Sequence, residues 1–198
     1  MFTAIFGGTF NPLHMGHYEI IKALENDERI EKIWLMPDRI PPHKSADLLI
    51  DDDDRIEMCK IVADKFSKCE LCLFEFEREG RSYTYDTISL LQKKYPESKF
   101  AFVCGGDMLV YFDKWWNYDK LMKMLPFFVF ARTDTNTVVF NESIEKFRKM
   151  GMEIFLKEEK IPAVSSTQIR NAFFENEKML PGEVFAFLKS RGVYNAKL

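Results

Sequence analysis

The stretch "FTAIFGGTFNPLHMGH", residues 2–17, decides the fold of this chain. Its first five residues, FTAIF, read as a buried strand. They run directly into Gly7-Gly8-Thr9, and a helical pattern occupies residues 16–26, with Ile20, Ile21 and Leu24 on one face. Glycines at such a joint let the backbone turn tightly and let a ligand approach the main chain. The following helix offers its free N–H groups to the same crevice, so the joint reads as an anion site. It is neither a dinucleotide fingerprint nor a P-loop, because both of those glycine patterns are missing. Instead it carries His14 and His17, two of the three histidines in the chain. A lone histidine here would read as a cap or a satisfied core residue. Two of them, three residues apart at the end of the first strand, converge on one anion. Each donates a hydrogen bond to a phosphate oxygen, and a protonated ring adds charge.

Outward from this joint, short apolar runs alternate with helical patterns. Strands are predicted at 32–36 (KIWLM), 71–76, 100–104 (FAFVC), 127–131 (FFVFA) and 153–156. Helices are predicted at 51–66, 84–94, near 107–112, 119–124, 143–150, 166–175 and 181–190, with a Pro-rich loop over 37–49. Apolar strands separated by amphipathic helices imply an α/β fold with a doubly wound parallel sheet covered on both faces. In such sheets, ligands sit beyond the carboxyl ends of the strands at the topological switch point. The whole of 1–198 reads as one domain, with a helical C-terminal part from about 165 packed on it. The Asp51–Asp54 run reads as the acidic start of a helix, where carboxylates favour the positive end of the dipole.

Composition sets bounds on the function. The chain has 198 residues, a net charge of −3 and 46% hydrophobic residues, so a soluble globular protein is expected. No surplus of Lys and Arg provides a general grip on nucleic acid. No signal peptide or membrane span is evident, and a cytoplasmic location is expected. Cys59, Cys69, Cys72 and Cys104 read as reduced thiols. The Cys69–Cys72 spacing enters a predicted strand, where residues three apart face opposite sides.

With GGTFNPLHMGH at residues 7–17 and VSSTQIR at 164–170, the chain resembles the nucleotidyltransferase superfamily related to class I aminoacyl-tRNA synthetases. More narrowly, it is similar to the bacterial nicotinate-nucleotide adenylyltransferases. PPHK at 41–44, GRSYTYDT at 80–87, GGDM at 105–108 and KWW at 114–116 spread that resemblance over most of the chain. It implies a Rossmann-like nucleotidyltransferase fold. It also implies transfer of AMP from ATP to nicotinate mononucleotide, giving deamido-NAD and pyrophosphate in NAD biosynthesis. The displacement is direct and uses no covalent enzyme intermediate, so catalysis is positioning and charge stabilisation.

The resemblance carries roles residue by residue. His14, His17 and Arg170 are the expected catalytic groups. Gly7, Gly8, Thr9, Phe10, Gly105, Asp107, Ser165 and Ser166 join them around ATP. Lys44, Ser82, Tyr83, Thr84, Asp107 and Trp116 are expected around the mononucleotide, with Trp116 favoured over Trp115 for stacking on the pyridine. The start of helix 84–94 suits a nicotinate carboxylate, so the deamido substrate is expected to be preferred. The family usually has Gly-Ala-Asp where this chain has Gly105-Gly106-Asp107, and Arg81 stands where a small residue or proline is common. Mg²⁺ is expected with ATP, held by phosphates and water without a named protein ligand. The partners are small molecules, with no nucleic acid and no membrane, and a homodimer is compatible with this reading. Rival readings are another adenylyl- or cytidylyltransferase, such as one acting on phosphopantetheine, and a nucleotide sensor without turnover. GRSYTYDT and KWW argue against the first, and the intact histidine pair argues against the second.

Overall fold

A computed structural model describes residues 1–40 and 49–194. The chain runs β1 (Phe2–Gly8), α1 (Met15–Glu25), β2 (Ile30–Pro37), α2 (Asp52–Ala63), β3 (Cys69–Leu71) and α3 (Thr84–Lys94) through its first half. It continues with β4 (Phe100–Gly105), α4 (Gly106–Val110), α5 (Tyr118–Leu121), β5 (Phe127–Arg132), α6 (Thr137–Lys149), β6 (Ile154–Ile161), α7 (Ser166–Asn171) and α8 (Gly182–Ser190). The six strands lie in the order β3-β2-β1-β4-β5-β6, all parallel. This is the doubly wound Rossmann-like order, with its switch point between β1 and β4.

The apolar runs are strands because both faces are buried. Successive side chains alternate between two cores. Ala4, Phe6, Ala101, Val103, Phe128 and Phe130 pack on the side of α1, α2 and α8. Ile5, Phe102, Cys104, Phe127 and Val129 pack on the side of α3, α4 and α6. All four cysteines are free thiols. Burial pushes the thiols of Cys59, Cys69 and Cys104 up, so they stay protonated and unreactive. Among the described residues no helix is long and apolar enough to cross a membrane.

The elements depart from the sequence expectation at several places: α2 and α7 end early, at Ala63 and Asn171, and three other departures have a local cause. The third strand is Cys69–Leu71, earlier than predicted, and the aromatic run Phe74–Phe76 is a 3₁₀ turn. The last strand extends through the charged residues 157–160 to Ile161. A sheet edge tolerates such charge because one side of the strand is in water. Helix α6 begins at Thr137 because Asn136 accepts hydrogen bonds from the N–H groups of Val138 and Val139 at 3.1 and 3.3 Å. Those two exposed β-branched residues masked the helical pattern.

Helix α2 ties the ends of β1 and β2 together through one buried side chain. Arg55, fully buried, donates to the carbonyls of Thr9 (3.1 Å), Asp38 (2.6 Å) and Arg39 (3.4 Å) and pairs with Asp52. The acidic run is therefore more than a dipole complement: Asp54 also pairs with Arg191 at 2.7 Å, fastening α8 to α2. Asp51 takes the N-cap position without a side-chain cap bond.

Candidate active site

The carboxyl ends of β1, β4 and β5 and the starts of α1, α3 and α7 surround a cleft of about 630 Å³. Every described residue expected at the site lines it except Phe10. Lys44, with His43, lies outside the described residues. Phe10 is buried, holds the left-handed φ of 45°, and sets its ring against His17 with centroids 5.0 Å apart. A bulky residue at positive φ is uncommon. Its side chain acts here as a floor under the histidine pair.

His14 is the N-cap residue of α1 and His17 stands in its first turn. The two rings stack at 3.7 Å between centroids and 21° between planes. Gly16 makes this possible, because a Cβ there would stand 3.0 Å from the His14 ring. The backbone N–H of His14 donates to Nδ1 of His17 at 3.2 Å. An accepting Nδ1 leaves Nε2 as the proton carrier, so His17 has one fixed donor.

His14 is only 7% exposed, and its Nδ1 is buried without a hydrogen-bond partner. Burial and the nearby Arg132 guanidinium push its pKa down to about 3. His14 is thus neutral near neutral pH, because burial and the neighbouring Arg132 charge both disfavour its protonated form. A neutral imidazole still donates one N–H. The unfolded chain takes up this proton below about pH 6.5, while the folded chain takes it up only near 3. Acid therefore favours unfolding across that interval. In denaturant titrations from pH 7 to 4, His14→Gln is expected to lose less stability than the parent. Equal acid slopes would contradict the assignment.

The opposite wall comes from residues near 164–170 and is bolted to the first loop. Arg170 donates to the carbonyl of Asn11 at 2.7 Å and to Thr167 Oγ1 at 3.0 Å. Ser166 Oγ donates to the carbonyl of Pro12 at 2.8 Å. Ser165 Oγ accepts from the Gln168 N–H at 3.1 Å, so it caps α7. Its own O–H proton remains to be donated. Both serines thus hold the wall in place through Oγ.

Asp107 stands just past β4 and pairs with Arg132 at the end of β5. Gly106 also has a local reason: a Cβ there would stand 2.7 Å from the Phe140 ring. Glycine at this position and phenylalanine at 140 fit together. At the other end of the cleft, Tyr83 caps α3, whose first turn begins at Thr84. The N–H groups of Ser82 and Tyr83 donate to Ile40 and Arg81 carbonyls at 2.9 Å, so Thr84 is the first with its N–H toward the helix start. Ser82 Oγ is buried and unpartnered. Trp116 is 59% exposed and faces Tyr83 at 6.1 Å, whereas Trp115 packs on Phe102 and Phe112. Sequence reasoning missed Arg132, Arg55 and the cleft-lining Glu75, which pairs with Arg78 at 2.8 Å. Arg132 ends the fifth apolar run and so stands at the carboxyl edge of the sheet, which was the available signal.

The cytidylyltransferase-like family matches residues 5–172. A probable nicotinate-nucleotide adenylyltransferase of Bacillus cytotoxicus is 34% identical, over 97% of this chain and 97% of its own. The nicotinate-nucleotide adenylyltransferase of Bacillus subtilis is 33% identical, again over 97% of each chain. Among solved structures, the Plasmodium falciparum nicotinic acid mononucleotide adenylyltransferase complexed with APC superposes with a TM-score of 0.79. That match is 20% identical and covers 98% of both chains. The same enzyme complexed with NaAD gives 0.78. These likenesses agree with the fold.

Proposed function

The chain belongs to the cytidylyltransferase-like family and, within it, to the nicotinate-nucleotide adenylyltransferases, and from that membership we propose how its cleft transfers an adenylyl group from ATP to nicotinate mononucleotide. The observation that carries the reading is the pairing of two walls across one cleft: the stacked His14 and His17 on one side, and Arg170 anchored to Asn11 on the other. A triphosphate between them meets imidazole N–H groups, the turn after β1 and a guanidinium fork. A phosphate oxygen of the mononucleotide attacks the α-phosphorus of ATP. The new P–O bond forms as the bond to the bridging oxygen breaks, and pyrophosphate leaves with that electron pair.

No protein nucleophile is required. Catalysis consists of alignment and of donors preset for the charge on the equatorial oxygens. His17 supplies a donor whose direction is set by the His14 N–H, and His14 supplies a second, neutral donor beside it. Asp107 accepts from ribose hydroxyls. Among the described residues no group of three His, Cys, Asp or Glu side chains is placed to hold a metal ion. The residues present suit Mg²⁺ arriving as part of the nucleotide substrate, ligated by phosphate and water.

The acceptor end supports a preference for the acid. The N-terminus of α3 presents N–H donors, with the unpartnered Ser82 Oγ beside it, and Trp116 offers an exposed face to the pyridine ring. A carboxylate satisfies such donors at both oxygens, whereas an amide offers them only one acceptor oxygen. A charged hydrogen bond contributes about 1.5–3 kcal/mol. We expect kcat/KM for nicotinate mononucleotide to exceed that for nicotinamide mononucleotide by roughly 10–100-fold. Equal values in parallel steady-state assays would refute the carboxylate reading.

A further inference from the structure

Arg132 occupies a position in the cleft that the functional reading above does not use. It is the last residue of β5 and lines the cleft between its two functional ends. One guanidinium nitrogen pairs with Asp107 Oδ2, and another reaches the carbonyl of Val164 at 3.4 Å. Its backbone N–H is held by Thr135 Oγ1 at 2.8 Å. Both members of the ion pair are partly exposed, at 29% for Arg132 and 47% for Asp107. A pair this wet adds little to stability, so stability alone is a poor reason for it. The guanidinium also lies close enough to His14 to oppose protonation of that ring.

We propose that Arg132 is a positioning residue for the adenylyl transfer, orienting the Asp107 carboxylate for the nucleoside while setting a permanent positive charge beside His14 for the transferring phosphate. The proposal rests on the adenylyl-transfer reading and adds to it a link between the two ends of the ATP site. Arg132 holds Oδ2 through one guanidinium nitrogen, which leaves Oδ1 for a ribose hydroxyl. Its contact with Val164 joins the same side chain to the wall that carries Ser165 and Arg170. One residue thus touches the element after β4, the α7 wall and the electrostatic surroundings of the histidine pair. Arginine suits this task because its planar fork directs several donors at once and its charge does not titrate.

Arg132→Gln and Arg132→Lys test this. The chain has three histidines, so the His14 ring is resolvable by NMR in the substrate-free protein. Arg132→Gln is expected to raise the pKa of His14, whereas Arg132→Lys, which keeps the charge, leaves it near the parent value. With ATP and nicotinate mononucleotide, Arg132→Gln is expected to lower kcat/KM for ATP on the order of 10²-fold, the scale of one lost preset donor. Most of the loss falls on ATP and little on the KM of the mononucleotide, and Arg132→Lys restores part of it. An unmoved His14 titration in Arg132→Gln, or ATP kinetics within about twofold of the parent, overturns the proposal. Should Arg132→Gln fail to fold, Arg132→Lys decides the matter: parental kcat/KM for ATP without the fork overturns it, and a roughly tenfold loss supports it. A parent protein that transfers no adenylyl group sinks the function itself, which is distinct from a parent that is active and insensitive to residue 132.

Discussion

Replacing His17 by alanine is expected to reduce kcat on the order of 10²–10³-fold, the cost of removing one preset donor from a charge-developing transition state. The ring is held from three directions. Phe10 packs against it edge-to-face, His14 stacks on it at 3.7 Å, and the His14 N–H fixes its Nδ1 as an acceptor. A group so constrained has its N–H in place before substrate arrives, and the reaction spends no free energy on reorganising it. Steady-state kinetics with saturating ATP checks this. A loss seen in kcat with little change in the KM for ATP marks an interaction made chiefly in the transition state. Near-parental turnover would remove His17 from the chemistry. His17→Asn is a useful companion, since it retains a donor without the imidazole, and it should fall between the two.

Arg170→Ala is expected to cost about 10²-fold in kcat/KM, through lost charge and lost alignment together. Arg170 bonds to the Asn11 carbonyl at 2.7 Å, and Ser166 bonds to the adjacent Pro12 carbonyl at 2.8 Å. These two contacts span more than 150 residues of sequence and set the width of the cleft. Arg170→Lys keeps the charge yet cannot hold both Asn11 and Thr167 in fork geometry. It should recover only part of the loss. Full recovery would mean that charge alone matters and that the bolt between the walls does not. The readout is kcat/KM for ATP at fixed mononucleotide, with thermal melting to exclude unfolding.

Much of this site was legible because the signals were local. A strand that ends in Gly-Gly-Thr, a helix that starts near Gly16 and two histidines between them define geometry within a dozen residues. The parallel, doubly wound sheet followed from apolar runs buried on both faces, whereas the strand order came only from the fold. What escaped was non-local or environmental. The Asp107–Arg132 pair joins residues 25 apart on neighbouring strand ends, and neither residue type announces the other. Nothing in the acidic helix start around Arg55 signals burial, yet the side chain is fully buried under the loop ends of β1 and β2. The neutrality of His14 depends on burial and on Arg132, both products of the folded cleft. The charged end of β6 lay beyond the predicted strand because edge strands do not need the apolar pattern of central ones.

The central claim is that this cleft passes an adenylyl group from ATP to a pyridine mononucleotide acid. The most direct measurement incubates the protein with ATP, Mg²⁺ and one acceptor at a time: nicotinate mononucleotide, nicotinamide mononucleotide or phosphopantetheine. Pyrophosphate and dinucleotide are then quantified together. The account predicts that the two products appear in equal amounts, fastest with nicotinate mononucleotide, and that neither appears with phosphopantetheine. Pyrophosphate release only with phosphopantetheine, or ATP binding without any product from the pyridine mononucleotides, would contradict it.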